Sequence, residues 1–191
     1  MHVTRPVLFS LLSFLTAGAV LAGDSYSIDA RHTFPVFEVS HYGFSLQRGR
    51  FNKVTGKLDL DPVAKKASVE VTIDMASIDM GFEDWNKHMR GERFFQVEKH
   101  PTARFVARDF AYDPASPAPV SGDLTLLGVT RGVVLKVAQW RCARHPILPR
   151  ELCGADLEAS IKRSDFGMTT NLPGIGDDVR ISIPVEALKD S

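Results

Sequence analysis

An excess of charge of either sign is missing from this chain: its 191 residues carry 23 Lys+Arg against 23 Asp+Glu. A nucleic-acid binder needs a basic excess or stripe to neutralise phosphates, so that class is excluded. Cysteine is nearly absent, with two residues, which rules out a disulfide-dense scaffold. Trp and Tyr are scarce too, two and three against twelve Phe. No Gly-x-Ser-x-Gly element or Cys–His nucleophile context occurs. No repeat, low-complexity tract or Pro/Gly linker divides the chain, and its length suits one domain of about 100–200 residues. A hydrophobic content of 44% excludes disorder.

What is present begins with an apolar run from Val7 to Ala22, preceded by Arg5 and ending in Val20-Leu21-Ala22. One positive charge, a short apolar core and a small-residue end read as a secretory signal peptide cleaved near Ala22. The run falls short of the ~20 apolar residues a bilayer span needs, and no second run follows. The expected mature protein is exported, periplasmic and not an integral membrane protein. Asp24 stands where a lipoprotein would need Cys. Removing 22 of 191 residues leaves 169, with 22 basic against 23 acidic residues and ten Phe.

Export changes the reading of Cys142 and Cys153, which flank a turn-rich stretch between two strand-like runs. In an oxidising compartment an even pair at this spacing favours a disulfide, stabilising by about 3 kcal/mol on the chain-entropy model. The alternative, a thiol metal site, finds only His145 as a third ligand.

The rest alternates with a period of two. Val69, Val71, Ile73 and Met75 interleave with polar residues, as do Ala155, Leu157, Ala159 and Ile161, and Val179, Ile181, Ile183 and Val185. Pro184 marks an edge, an end or a bulge. Further strands are expected at 35–41, 49–60, 102–112, 120–127 and 131–141, the last two joined by a turn at Gly128-Val129-Thr130. One segment departs: Phe82, Trp85 and Met89 recur at helical spacing, predicting an amphipathic helix over 80–90. About eight antiparallel strands in one domain require a sandwich or a barrel. An eight-stranded barrel is just wide enough to be filled by side chains or to hold one small ligand.

Several blocks in order carry a family resemblance over nearly all of 26–188. They are Tyr26-Ser27-Ile28-Asp29-Ala30-Arg31-His32-Thr33, Phe37-Glu38-Val39-Ser40-His41-Tyr42-Gly43, Gly49-Arg50-Phe51, and Ala76-Ser77-Ile78-Asp79. Next come Asn86-Lys87-His88-Met89-Arg90, His100-Pro101-Thr102-Ala103-Arg104-Phe105 and the most specific, Val120-Ser121-Gly122-Asp123-Leu124-Thr125-Leu126-Leu127-Gly128-Val129-Thr130-Arg131. Arg163-Ser164-Asp165-Phe166-Gly167-Met168 completes the set. In these the chain resembles the YceI-like, polyisoprenoid-binding family of exported lipocalin-like barrels. Thr33, Met80 and Asn86 depart from the family's usual Ser, Thr and Asp.

The resemblance implies an all-β fold: one antiparallel eight-stranded lipocalin-like barrel with one short helix between strands, over 23–191. It implies a tube holding a long apolar chain, such as a polyprenyl or quinone tail, as ligand and partner, with no cofactor and no enzymatic activity. A homodimer is left open. The residues expected to line the tube are Phe37, Val39, Phe51, Val71, Ile73, Phe105, Leu124, Leu126, Leu135, Leu157, Ile161, Ile181 and Ile183. An ordinary dry core is the competing reading of the same positions. Trp85, Met89, Phe94 and Phe95, on or after the helix, either line the tube or plug one end. His41, or Arg163 with Asp165, is a candidate polar contact for a headgroup at the mouth. No pair of histidines has helical ligand spacing, so no metal is expected. Ser27, Asp29 and His32 make a triad only on paper; turn chemistry explains such a cluster at a strand start. The remaining alternatives are a filled barrel acting as a stress or interaction module, and an enzyme modifying such a lipid.

Overall fold

Alternating apolar residues need two faces of different polarity, and the chain provides them by wrapping its strands around a lumen. The computed structural model describes residues 23–113 and 115–191. The apolar run read as a signal peptide lies outside the described residues. Eleven strands and one helix follow in order: β1 (Asp24–Ile28), β2 (Val36–His41), β3 (Ser45–Phe51), β4 (Val54–Asp61), β5 (Lys66–Asp74), β6 (Ile78–Asp79), α1 (Glu83–Arg90), β7 (Thr102–Ala111), β8 (Val120–Leu126), β9 (Val129–Arg144), β10 (Glu151–Lys162) and β11 (Ile175–Lys189).

All pairings are antiparallel, and β1-β4-β5-β7-β8-β9-β10-β11 closes on itself through β1–β11. Closure leaves no free edge around that ring. The other three strands extend staves of the same ring. β2 continues from β1 and pairs with β11 over Val179–Ser182, β3 leads into β4, and β6 extends β5. The result is the eight-stranded barrel implied by the resemblance, with three of its staves broken.

The expected single strand over 49–60 is one such broken stave, split at Asn52–Lys53. Its interruption faces the short 3-10 turn Met75–Ser77 that splits β5 from β6. The Asn52 N–H donates to the Ser77 carbonyl at 3.1 Å, the Asp74 N–H to the Lys53 carbonyl at 3.0 Å. Lys53 Nζ also reaches Asp74 at 2.9 Å. Two staves therefore bend together without orphaning backbone groups.

Pro184 lies inside β11, opposite Asp156, at a local edge. On its other side β2 stops pairing at Ser182 and β1 resumes at Ala187. Two residues on, the Glu186 backbone faces that same gap, donating to Thr33 Oγ1 and accepting from the Asp29 N–H. With the same parity, the missing N–H of Pro184 costs the ladder nothing.

The helix is shorter than its sequence period predicts, starting at Glu83, because Gly81 is left-handed and Phe82 extended. The turn between β8 and β9 falls one residue early, on Leu127 and Gly128, whose φ values are 52° and 75°. Two consecutive left-handed residues match the twist of a two-residue hairpin, and Val129 and Thr130 already pair in β9. The core forms three clusters along the barrel. The first lies at the α1 end around Phe51, Met75 and Phe95, the second mid-barrel around Phe105, Leu135 and Phe166, the third around Tyr26 and Cys153.

Candidate functional site

The inward faces of the strands do not meet. They leave a cavity of about 210 Å³ lined from every quarter of the barrel. Lumen residues such as Val71, Ile181 and Ile183 are therefore only half-buried. On β11 the lining runs from Ile175 to Val185. That is about 33 Å of strand at ~3.3 Å per residue, or roughly 25 Å of axis at a 35–45° tilt. Two glycines make space for aromatic rings along the way. A Cβ on Gly49 would meet the Phe37 ring at 2.5 Å, and one on Gly122 the Phe105 ring at 2.5 Å.

Seventeen of the twenty residues expected at the site line this cavity: Phe37, Val39, Phe51, Val71, Ile73, Met89, Phe94, Phe95, Phe105, Leu124, Leu126, Leu135, Leu157, Ile161, Arg163, Ile181 and Ile183. His41, Trp85 and Asp165 do not. The lining on β2 ends at Val39, and His41 stands beyond it with its ring against Tyr42 at 4.9 Å and Trp85 at 6.3 Å. The helix sits across the barrel end and buries no residue fully, so Met89 reaches the lumen while Trp85, one turn earlier, stays 41% exposed. Tyr42, Phe44 and Phe82 are exposed too, which gives this end an aromatic rim.

Phe94 and Phe95 both line and plug. Beyond Asp74 and Thr102, β5 and β7 stop pairing, and among the described residues β6 pairs with β3 alone. The connection carrying α1 fills that seam. Phe95 meets Phe51 at 5.4 Å and Phe37 at 6.3 Å, while its N–H donates to the Met89 carbonyl at 3.0 Å.

Arg163 lines the cavity, but four of its five N–H donors are committed to backbone carbonyls. It is 4% exposed, and its guanidinium donates to the carbonyls of Gly176, Met168, Thr170 and Ile175 at 2.8–3.0 Å. Burial holds its pKa below the usual range, opposed by the Asp177 charge. Asp177 in turn accepts from the Ser164 N–H and hydroxyl, at 2.9 and 2.8 Å. This Arg-centred cluster folds the 163–177 loop over the barrel end. Thr33 is the other polar lining residue, and its hydroxyl is spent on the backbone of Glu186. The remaining lining side chains are apolar.

The paper triad does not assemble. His32 Nδ1 meets Asp29 at 2.8 Å, but the Ser27 hydroxyl donates to Asp190 at 2.6 Å and accepts from Lys57. Asp29, His32 and Glu186 do gather on the barrel exterior, an arrangement strand reading missed because Glu186 is distant in sequence. Hydrogen bonding to Asp29 and the Glu186 charge raise the His32 pKa. Cys142 and Cys153 face each other across β9 and β10 and form a disulfide.

A second chamber of about 90 Å³ lies towards the disulfide end. It shares Ile28, Val69, Leu135, Leu157 and Val185 with the main cavity and adds Leu58, Leu60, Phe110, Tyr112 and Trp140. Two register shifts build it. Opposite Asp156 and Leu157, β9 places Gln139 and Val137, so Ala138 is an extra residue. Opposite Ala67 and Val69, β7 places Phe110 and Ala107, with Asp109 left-handed. Each bulge flips the inward parity, from Val133-Leu135-Val137 to Trp140 and from Phe105-Ala107 to Phe110 and Tyr112. A strict period of two hides these aromatics; only their failure to fit the period signals them.

Comparison with known proteins agrees with this architecture. A YceI-like domain matches residues 26–187. A UPF0312 protein of Serratia proteamaculans is 35% identical over 178 residues, covering 92% of this chain and 91% of its own length. Another, of Ectopseudomonas mendocina, is 32% identical over 180 residues and 93% of each chain. Burkholderia cenocepacia BcnA has a TM-score of 0.67 at 26% identity, covering 83% of this chain and 98% of that one. The Campylobacter jejuni YCEI protein gives 0.68 at 25% identity, with 80% and 90% covered. A polyisoprenoid binding domain from Saccharophagus degradans shares the fold at a TM-score of 0.63 and 20% identity, over 86% and 98%.

Proposed function

The chain belongs to the YceI-like family, and from that premise we propose that it binds and carries a long-chain isoprenoid or similar amphipathic lipid without chemically altering it. One observation carries the reading: a long lumen in which, among the described residues, the only two polar lining side chains, Thr33 and Arg163, are already engaged by backbone groups. Such a tube offers a ligand apolar surface and little else. Burial contributes about 25 cal/mol per Å², so affinity grows with tail length before ordering costs. The fold shared with the polyisoprenoid binding domain is consistent with that cargo. The aromatic rim of Tyr42, Phe44 and Trp85 provides an apolar approach at the α1 end.

A carrier also accounts for the open lumen, which a purely structural barrel would fill. A lipid-modifying enzyme would need a polar, pKa-shifted constellation inside the tube. The described lining supplies none that is free. We place the protein in the periplasm, with residues 1–22 removed on export; N-terminal sequencing of the exported protein should then begin at Gly23.

Ala159 provides the test because it lines the cavity on β10 with the smallest side chain there. Ala159→Phe fills lumen rather than packed core, so affinity for a C20 prenyl ester should fall by about tenfold or more while Tm does not fall. Unchanged affinity in a well-folded variant would count against ligand seating in the tube.

A further inference from the structure

We infer that the second chamber is a headgroup subsite selecting a neutral hydrogen-bond acceptor, such as an ester, ketone or ether oxygen, over an anionic one. The inference deepens the lipid-carrier reading and rests on it. Among the described residues, one buried side-chain polar atom lacks a hydrogen-bond partner: the Trp140 indole Nε1. Trp140 lines this chamber. An unpaired buried donor is rarely left in a native structure without a reason. An acceptor carried in by the ligand supplies one.

Three further features fix the class of acceptor. The chamber is continuous with the main cavity through five shared lining residues, so a tail in the tube places its end here. Among the described residues no Lys, Arg or His lines it, whereas Asp113 does. A phosphate or carboxylate would find no counter-charge among the described lining residues and would approach the Asp113 carboxylate, a like charge. The second polar group is the Tyr112 phenol, its ring edge-on to Trp140 at 5.8 Å. Burial and the nearby Glu151 and Asp113 charges push this phenol's pKa up, against a smaller lowering by hydrogen bonding towards the Trp140 indole, which has the phenol as a neighbour but makes no hydrogen bond of good geometry to it. It therefore stays protonated and is a second donor for the same oxygen. The bulges in β7 and β9 are what turn both aromatics inward, and bulges commonly re-aim side chains beside functional sites.

The test compares three probes on the disulfide-intact protein: geranylgeranyl acetate, geranylgeranyl diphosphate and the acceptor-free hydrocarbon squalene. The wild-type protein should prefer the acetate to the diphosphate. Trp140→Phe should weaken the acetate by about three- to tenfold, the worth of one hydrogen bond, and leave squalene unchanged. Because the chain has two tryptophans, Trp85→Phe leaves a single indole N–H resonance, that of Trp140. In that variant the resonance should move downfield with the acetate and not with squalene, a readout that needs no change at Trp140 itself. Equal affinity for acetate and diphosphate, or an indole resonance indifferent to the acetate, would overturn the subsite while squalene binding upheld the carrier. Failure of all three probes to bind would overturn the carrier reading and the subsite with it.

Discussion

Phe95 stands edge-on to Phe51, their ring centroids 5.4 Å apart and their planes 79° apart. The contact joins the connection after α1 to β3 across the seam where β6 and β7 do not pair. Both rings are buried and both line the lumen. Phe95→Ala removes the ring and leaves a hole that the broken staves cannot close. The expected loss is about 3 kcal/mol, a Tm fall of roughly 6–12 °C for a domain of this size. A thermal melt checks it, and an unchanged Tm would mean that the seam is closed by other contacts.

Arg163 separates a structural role from a ligand role. With four carbonyls on one guanidinium, Arg163→Met should cost about 3 kcal/mol or more, because the carbonyls lose a charged donor at once. Arg163→Lys should restore only part of the stability, since an ammonium cannot reproduce the planar fork. Below the melting range, squalene affinity should be the same in both variants as in the wild type. A selective loss of prenyl diphosphate binding in a stable Arg163→Lys variant would instead make the residue a headgroup contact.

Stability should depend on pH with two limbs of different origin. The Ser164 N–H and hydroxyl hold Asp177 below the usual carboxylate range, and Lys53 and Lys57 do the same for Asp74 and Asp190. A lowered folded pKa gives stability that is full above about pH 4 and lost as pH falls through the folded value. His32 is raised, so its contribution is full below about pH 6.5 and lost as pH rises through its folded pKa. Tm should therefore plateau between those limits, drop in acid and decline more gently on the alkaline side. His32→Asn should remove the alkaline step alone; its persistence in the variant would assign the step to another group.

Much of the fold was legible because a lumen imposes the same alternation as a core. Val71 and Ile73, Leu157 and Ile161, and Ile181 and Ile183 all face inward as their spacing predicts. Composition and period did not distinguish an open lumen from a dry interior, since both require apolar inward faces; family resemblance supplied that difference. What stayed hidden depends on breaks in the pattern. Met168 and Ile175 enter the lining from a turn and a strand end, where no period applies. Trp140 and Tyr112 follow bulges whose positions are set by cross-strand register. Arg163 was legible as a conspicuous charge, but its partners are backbone carbonyls, which a side-chain pattern does not reveal.

The scarcity of Tyr and Trp among so many Phe also acquires a physical reason. Five phenylalanines (Phe37, Phe51, Phe94, Phe95 and Phe105) line the main cavity, where a buried hydroxyl or indole would need a partner the lumen lacks. The exception, Trp140, sits where the lumen ends.

Native mass spectrometry of gently purified, exported protein tests the central claim most directly. The account predicts adducts of apolar lipid mass that organic extraction releases and that added geranylgeranyl acetate replaces. Protein that is repeatedly empty, and stays empty when polyprenol, quinone or prenyl ester is supplied, would contradict it.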